Sequence, residues 1–405
     1  MIRITQFVHG KGTVSDAIRH RDTAPDKMPR KLLAFSENRR PIIFWNLTNR
    51  CNLACSHCYI NAGPGAKRND ELSTREAKNL IDDLAEMGTP LILLSGGEPL
   101  VRDDFWVLAG YIKEKGMKSA LSTNGTLIDL ETAQRLRETG VEYVGISLDG
   151  ATAETHDRLR NRKGSFEAAL SAIRHCDAIG LPCGVRITVS KDNFREVGDL
   201  IDLAEGMGAS RFCLYWLVPS GRGGEGHKSR QLAPGEVRGV IDLLFRKAHE
   251  IDPKTMEILT VDSPQDSVYF LQKMREVDPE NARNVEKLLQ FMGGACSAGN
   301  RVANIDPSGN VYPCQFAQDP SLLIGNVKDN RFSTLWNNEK NPVLAAFRKR
   351  PVELEGACGI CSEREFCGGG CRVRAYARDR SLTAEDPFCS VGTAVSSIPR
   401  AGQPE

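Results

Sequence analysis

The sequence predicts an α/β protein in which a partial (β/α)6 barrel, resembling an incomplete TIM barrel, is followed by a cysteine-rich C-terminal domain. Two observations predict this fold. From residue 41, six short β-branched or aliphatic runs alternate with amphipathic helical segments, and after residue 293 the chain changes to short strands, glycines and cysteines. Six β-then-α units fit an open, partial barrel better than a closed barrel of eight.

The elements follow in order along the chain. We predict strands at residues 42–47, 91–94, 118–121, 143–148, 184–189 and 212–217. Ser73 and Glu76 form a capping box that begins the first helix. Because six consecutive units of this kind build a parallel sheet, we expect the active site at the C-terminal ends of its strands.

Four regions are predicted. They are an irregular N-terminal extension (1–40), the partial barrel (41–233), a helical linker region (234–293) and the cysteine-rich domain (294–405).

Composition limits the classes of partner. The 405 residues include 53 Lys and Arg against 52 Asp and Glu, so no global basic field predicts nucleic acid as a partner. No apolar run reaches the length of a membrane span, and the first residues lack the features of an export signal, so we expect a cytoplasmic protein with no membrane partner. Thirteen cysteines in such a chain indicate reduced thiols that bind metal.

Three of these cysteines, Cys51, Cys55 and Cys58, lie within the segment CNLACSHCY directly after the first predicted strand. Three thiolates can hold three irons of a [4Fe–4S] cube and leave the fourth iron without a protein ligand. The alternative is a zinc site that His57 completes.

This segment matches the CxxxCxxC signature of the radical S-adenosylmethionine (SAM) superfamily, including the aromatic residue after the third cysteine. Three further motifs resemble that family in their order. SGGEP (95–99), STNG (122–125) and SLDG (147–150) each end a predicted strand. The resemblance implies a [4Fe–4S] cluster with an open iron that SAM chelates, and a 5′-deoxyadenosyl radical that takes hydrogen from an unreactive carbon.

The resemblance also implies roles for the residues of these motifs. Gly96 and Gly97 would let the backbone approach SAM, and Glu98 would accept from its ammonium group. Tyr59 would present its backbone and ring to the adenine. Polar groups for the ribose and carboxylate would come from Ser122, Asn124, Ser147 and Asp149. Arg160 is either a partner of the SAM carboxylate or a solvated charge on a helix.

The remaining cysteine pattern resembles the SPASM domain, an auxiliary-cluster module that follows radical SAM barrels. The resemblance implies that one complete [4Fe–4S] cluster is ligated by Cys358, Cys361, Cys367 and Cys389. A second would be held by Cys296, Cys314 and Cys371. No further cysteine follows shortly after Cys296, so this cluster has an open iron, has a non-cysteine ligand or is absent. Zinc ribbons are the alternative for both sets. We expect the other three cysteines, Cys176, Cys183 and Cys213, to be buried as small apolar residues.

Four segments resemble the enzymes that trim side chains of modified tetrapyrroles in d-type haem and sirohaem-dependent haem synthesis: MIRITQFVHGKGTVSDAIRH, FSENRRPIIFWNLTNRCNLACSHCY, LYWLVPSGRG and LTVDS. This implies hydrogen abstraction from a propionate of a didecarboxysirohaem-like substrate, followed by loss of side-chain carbon. It also implies an electron donor such as ferredoxin or flavodoxin.

Two alternatives stay open. Cys296 and Cys314 together are equally typical of SPASM enzymes that modify a ribosomally made peptide, and a non-catalytic iron–sulfur electron carrier belongs to another class altogether. Near the glycine-rich loop, Arg222, Lys228 and Arg230 are candidates for contacts to an anionic substrate, and His227 for an axial iron ligand. The alternative for all four is a solvent-facing loop residue.

Overall fold

The computed structural model describes residues 1–10, 40–67, 70–292 and 296–391. Its centre is one sheet of eleven strands. The strands are β1 (Ile2–Arg3), β2 (Ile42–Asn46), β3 (Ile92–Ser95), β4 (Ser119–Thr123), β5 (Val141–Ser147), β6 (Cys183–Val189), β7 (Arg211–Trp216), β8 (Glu257–Val261), β9 (Val302–Ile305), β10 (Asn310–Tyr312) and β11 (Gly325–Asn326).

The strand order is β1-β8-β7-β6-β5-β4-β3-β2-β9-β10-β11. Strands β2 to β8 pair in parallel with their sequence neighbours, and β9 pairs in parallel with β2 on the other side. Strands β1, β10 and β11 are antiparallel additions. In the described residues β1 and β11 remain at opposite edges, so the sheet is not closed and the predicted partial barrel is confirmed.

Helices that connect the parallel strands cover the outer face of the sheet, and the described residues form sixteen α-helices in all. They are α1 (Ile4–His9), α2 (Thr74–Glu86), α3 (Phe105–Glu114), α4 (Leu130–Glu138), α5 (Ala153–Arg160), α6 (Ser165–Ala178), α7 (Val197–Gly206), α8 (His227–Arg230), α9 (Pro234–Glu250), α10 (Asp266–Val277), α11 (Pro279–Met292), α12 (Phe332–Trp336), α13 (Pro342–Arg348), α14 (Gly356–Ile360), α15 (Arg364–Cys367) and α16 (Arg372–Asp379). None of them, within the described residues, is long and apolar enough to cross a membrane.

All six predicted strands are present, and α2 begins with the predicted capping box, in which Ser73 and Glu76 each accept from the other's backbone N–H. Two regions differ from the prediction. The linker region contains β8, which adds a seventh consecutive strand to the parallel series. The first ten residues are not irregular, because β1 pairs with β8 and α1 packs on the core. The rest of the predicted extension, residues 11–39, lies outside the described part of the chain.

The two faces of the sheet have different packing. The main core fills the space between the sheet and its helices, with Trp45, Ile81 and Phe105 among its fully buried side chains. Among the described residues, a separate small apolar cluster lies around Leu93, Ala120 and Tyr143. The inner face of the sheet borders a cavity and carries polar groups.

The C-terminal domain is joined to the barrel by β9 and by a buried arginine. Arg374 on α16 is fully buried, and its Nη2 lies 3.0 Å from Asp386 Oδ2. The same nitrogen donates to the backbone carbonyl of Asp262, directly after β8, at 2.9 Å. Burial alone would raise the pKa of Asp386, but the Arg374 charge holds it below its usual value. Asp386 thus holds Arg374 within the C-terminal domain, and the hydrogen bond from Arg374 to Asp262 connects that domain to the end of β8.

Replacing Arg374 with Met should destabilise the protein by about 3–5 kcal/mol, because Asp386 would remain buried without its counter-charge. The free energy of unfolding from anaerobic urea titration measures this. Arg378→Met, an exposed position on the same helix, is the matched control and should cost no more than about 0.5 kcal/mol. Equal stability of the two variants would contradict the proposed connection.

Candidate active site

The three cysteines of the first cluster lie in the loop that follows β2, at the C-terminal edge of the sheet. Cys51, Cys55 and Cys58 line one cavity. The loop is closed at its base, where Cys51 N donates to the carbonyl of Gly63 at 3.2 Å. Burial raises the pKa of Cys51 to about 12 and also raises that of Cys55. A bound metal must therefore displace a proton from each of these two thiols.

The loop that carries Cys51, Cys55 and Cys58, called the thiol loop below, is also bound by the glycine-rich loop after β7. Arg222 donates through Nε to the carbonyl of Cys55 at 3.0 Å and through Nη2 to that of Ala62 at 2.7 Å. Ser220 Oγ donates to the carbonyl of Tyr59 at 2.9 Å. Arg222 is therefore not a solvent-facing loop residue, since two of its nitrogens hold the backbone that carries the thiols.

The glycines of SGGEP allow the end of β3 to touch the thiol loop. Gly97 N donates to the carbonyl of Thr48 at 2.7 Å. Gly96 has φ +131°, and a Cβ there would lie 2.6 Å from that same carbonyl oxygen. A Cβ at Gly97 would collide with the carbonyl of Arg50. Neither position has room for a side chain, which agrees with the close backbone approach that the motif predicts.

Around this contact lies a cavity with about 1070 Å³ of free space, open to solvent. The cavity brings together most of the site residues that the sequence predicts, from four separate motifs and from Arg160. Those that line it are Cys51, Cys55, Cys58, Tyr59, Gly96, Gly97, Ser122, Asn124, Ser147 and Arg160. Glu98 and Asp149 are fully buried behind this lining.

Glu98 connects the ends of β3 and β4. Both of its carboxylate oxygens accept from Thr123 Oγ1 at 2.9 Å, and Oε2 also accepts from the backbone N–H of Asn124 at 2.9 Å. Burial raises the pKa of Glu98 to about 7 despite these donors. The structure therefore gives this carboxylate, which does not line the cavity, a framework role, and its contact with the SAM ammonium stays a prediction.

Asp149 pairs with two residues of the site. Its Oδ2 lies 2.9 Å from His57 Nε2 and 2.5 Å from Arg160 Nη2. Burial alone would raise the pKa of Asp149, but Arg160 and His57 hold it well below its usual value. Arg160 Nη1 in turn donates to Cys55 Sγ at 3.6 Å. Arg160 is only 9% exposed, so the alternative of a solvated helix charge is wrong.

Arg186, Tyr215 and Phe316 are among the cavity side chains that the sequence did not predict. Arg186 and Tyr215 reach the cavity from the inner faces of β6 and β7, and Phe316 reaches it from the C-terminal domain. The ring of Phe316 meets that of Tyr59 edge-on, with centroids 5.7 Å apart. An arginine inside the apolar run GVRITV was a usable signal, since buried parallel strands are normally continuous apolar runs.

The C-terminal cysteines form two groups in space. Cys314 lies within electrostatic reach of Cys296 and Cys371. Cys367 lies within such reach of the other three, which are Cys358, Cys361 and Cys389. Burial raises the pKa of Cys367 and of Cys371 to about 12. In the described residues no three Cys, His, Asp or Glu side chains could hold a single metal ion, whereas a cube offers separate irons to separate thiols.

The remaining cysteines are not near these groups. Cys176, Cys183 and Cys213 are at most 5% exposed and sit in the barrel core, which confirms their predicted burial.

Comparison with known proteins agrees with this geometry. Residues 45–204 match the model of the radical SAM superfamily, and residues 296–362 match that of an iron–sulfur cluster-binding domain, SPASM. The chain is 40% identical over 395 residues to Fe-coproporphyrin III synthase of Methanosarcina barkeri, covering 96% of this chain and 97% of that protein.

The chain belongs to the radical SAM superfamily.

Other relatives in this superfamily carry different names. Pre-heme d1 synthase of Dinoroseobacter shibae is 37% identical over 86% of each chain. Mycofactocin maturase of Mycobacterium tuberculosis is 35% identical, covering 88% of this chain and 84% of that one. Among solved structures, SuiB of Streptococcus suis bound to S-adenosylmethionine shares the fold, with a TM-score of 0.68 over 87% of this chain and 77% of that chain at 16% identity.

Membership of the superfamily makes this protein an enzyme whose cofactors are a [4Fe–4S] cluster and SAM, with auxiliary iron–sulfur clusters in the SPASM domain. The described residues fit these groups. Three thiols converge on one cavity beside glycines with no room for side chains, and the C-terminal thiols separate into a set of four and a set of three.

Asp149→Asn should lower the rate of 5′-deoxyadenosine formation about 10–100-fold, because Arg160 and His57 lose the carboxylate that orients them. Chromatographic quantitation after anaerobic incubation with SAM and dithionite measures it. Glu154→Gln, an exposed position on the helix that carries Arg160, is the control. If both variants cleaved SAM at the wild-type rate, Asp149 would have no positioning role.

The raised pKa of Glu98 predicts that the free energy of unfolding depends on pH. Its pKa is about 7 in the folded protein against an ordinary value of 4.5, so the folded state binds this proton more tightly than the unfolded chain. Its contribution to the free energy of unfolding should be complete below about pH 4.5 and should be lost as the pH rises through 7. Glu98→Gln should remove this part of the slope in urea titrations between pH 5 and 8. An identical slope in the variant would show that Glu98 titrates normally.

Proposed function

We propose that this radical SAM enzyme removes a carboxylated side chain from an iron-bearing, didecarboxysirohaem-like tetrapyrrole. The similarity to Fe-coproporphyrin III synthase carries the proposal, because it extends over the barrel and the SPASM domain alike. A propionate, which the sequence predicts, is one such side chain. The mass of the product would identify which side chain of the tetrapyrrole is lost. Ferredoxin or flavodoxin would supply the electron.

The proposed metal ligands follow the grouping of the thiols. Cys51, Cys55 and Cys58 would hold the cluster that binds SAM. In the SPASM domain, one cluster would be held by Cys358, Cys361, Cys367 and Cys389, and another by Cys296, Cys314 and Cys371. When bound, the reduced cluster and SAM supply a 5′-deoxyadenosyl radical that can take hydrogen from an unactivated carbon.

The proposed SAM contacts are residues at the strand ends. Gly96 and Gly97 would admit the ligand to the backbone, and Glu98 would serve the ammonium. The ribose, carboxylate and adenine would be served by residues that line the cavity, which are Tyr59, Ser122, Asn124, Ser147 and Arg160, and by Asp149 behind them. In this scheme Asp149 acts through Arg160, whose guanidinium it holds at 2.5 Å.

The charges of the cavity support an anionic substrate. Arg160, Arg186 and Arg222 line it, whereas the carboxylates of Glu98 and Asp149 lie behind its wall. A positive lining surrounded by protein of low polarisability attracts carboxylates. Tyr59 and Phe316 add aromatic surface at the same cavity, which suits a flat macrocycle and helps to exclude water from a radical reaction.

A peptide substrate is the second candidate, because mycofactocin maturase is similar over most of both chains. The same cationic lining would then receive an acidic side chain or the C-terminal carboxylate of the peptide.

The test is anaerobic incubation of the reconstituted full chain with SAM, dithionite and iron didecarboxysirohaem, followed by mass spectrometry. We expect 5′-deoxyadenosine and a tetrapyrrole that has lost the mass of one or more carboxylated side chains. Cys55→Ala is the control and should give neither product.

Formation of 5′-deoxyadenosine without any change in the tetrapyrrole would overturn the proposed substrate. A mass change in a co-encoded small peptide under the same conditions would favour the second candidate. Absence of 5′-deoxyadenosine in every mixture would leave only the electron-carrier hypothesis.

A further inference from the structure

Arg186 is an arginine at the centre of the barrel. It lies on β6, and its side chain is partly exposed, into the cavity that the three thiols also line. One terminal nitrogen, Nη1, donates to Ser122 Oγ at 2.8 Å. Its Nε is buried and has no hydrogen-bond partner. The guanidinium thus keeps donors that the described residues do not use.

Gly145 provides the space for this side chain. Arg186 must cross the neighbouring strand β5 to reach Ser122 on β4, and Gly145 is the residue of β5 in register with Ser122. A Cβ at Gly145 would collide with Nε and Cζ of Arg186. A glycine weakens a strand because it has no side chain to pack and loses more entropy on folding. Its presence at position 145 leaves the space that Arg186 occupies.

No negative charge balances Arg186 within the part of the chain that the structure describes. The groups with the largest electrostatic effect on it are Tyr215, Tyr143, Cys213 and Tyr59. Burial raises the pKa of Tyr215 to about 12 and also raises the pKa values of Tyr143 and Cys213, so these three are neutral near pH 7. A guanidinium that is largely removed from water without a counter-charge is costly, which indicates that an anion completes the site.

Arg160 and Arg186 serve different parts of the cavity. Arg160 donates to Cys55 Sγ and already has the carboxylate of Asp149, so it is the cation beside the thiols. Arg186 donates instead to Ser122 on β4, and no hydrogen bond joins it to a thiol in the described residues. An anion at Arg186 would thus be a second anion, in addition to a group bound beside Arg160 and the thiols.

We propose that Arg186 binds a side-chain carboxylate of the substrate and thereby fixes which carbon faces the reacting end of the cavity. This assignment rests on the proposed function for the identity of the substrate. A planar guanidinium with free donors offers a charge-assisted hydrogen bond to a carboxylate and offers none to an ester.

The test compares a charged and an uncharged probe. Iron coproporphyrin III and its tetramethyl ester are titrated into the reconstituted full chain, and the Soret shift reports each dissociation constant. The wild type should bind the acid at least about tenfold more tightly than the ester. Arg186→Gln should reduce that preference to near unity, and Arg186→Lys should restore part of it because the charge remains. Arg211→Gln is the matched control, since Arg211 lies on the adjacent strand, faces Glu257 at 3.8 Å and does not line the cavity.

A second readout separates substrate binding from SAM binding. In the absence of a tetrapyrrole, Arg186→Gln should lose less 5′-deoxyadenosine formation than Arg160→Gln, because Arg160 is the arginine that donates to Cys55 Sγ. A loss as large as that in Arg160→Gln, with the acid preference intact, would assign Arg186 to SAM and overturn the assignment. Equal affinity of the wild type for acid and ester would overturn it as well, with the proposed function standing. No Soret shift with either probe would overturn both.

Discussion

The site depends on a backbone contact between the end of β3 and the loop that carries the three thiols. Gly97 N meets the carbonyl of Thr48 at 2.7 Å, and Glu98 N meets that of Arg50 at 2.9 Å. A side chain at Gly96 or Gly97 would push the two segments apart. The contact fixes the thiols at the rim of the barrel, beside the strand ends that line the cavity. Without it, thiols and strand ends could not share one ligand.

The distribution of charge then determines what the cavity can receive. The barrel places its carboxylates behind the wall, where Glu98 links two strands and Asp149 holds Arg160 and His57. The arginines that line the cavity differ in what satisfies them. Arg160 has a carboxylate and Arg222 has backbone carbonyls, whereas Arg186 has one hydroxyl. This asymmetry favours an anionic substrate and makes Arg186 its proposed anchor.

Much of this could be predicted from the sequence because the signals were local. The capping box at Ser73 and the alternation of strands and helices determine elements that form next to each other along the chain. Strand β8 was missed because it is five residues long and lies between helices, and because Glu257, its buried first residue, breaks the apolar pattern. That glutamate is tolerated because Arg3, more than 250 residues away, pairs with it at 2.7 Å. The role of Arg186 could not be predicted either, because it depends on the lateral order of β4, β5 and β6 in the folded sheet. The grouping of the C-terminal cysteines was inferred from family resemblance, since spacing alone allows several groupings.

The proposed chemistry requires that an iron held by Cys51, Cys55 and Cys58 be open to SAM. Electron–nuclear double resonance of the reduced full chain with SAM isotopically labelled at its amino nitrogen tests it most directly. We expect a hyperfine coupling between that nitrogen and the cluster, which should vanish in Cys55→Ala while the SPASM cluster signals remain. A cluster signal without coupling to the label, or a coupling that survives in Cys55→Ala, would contradict the account.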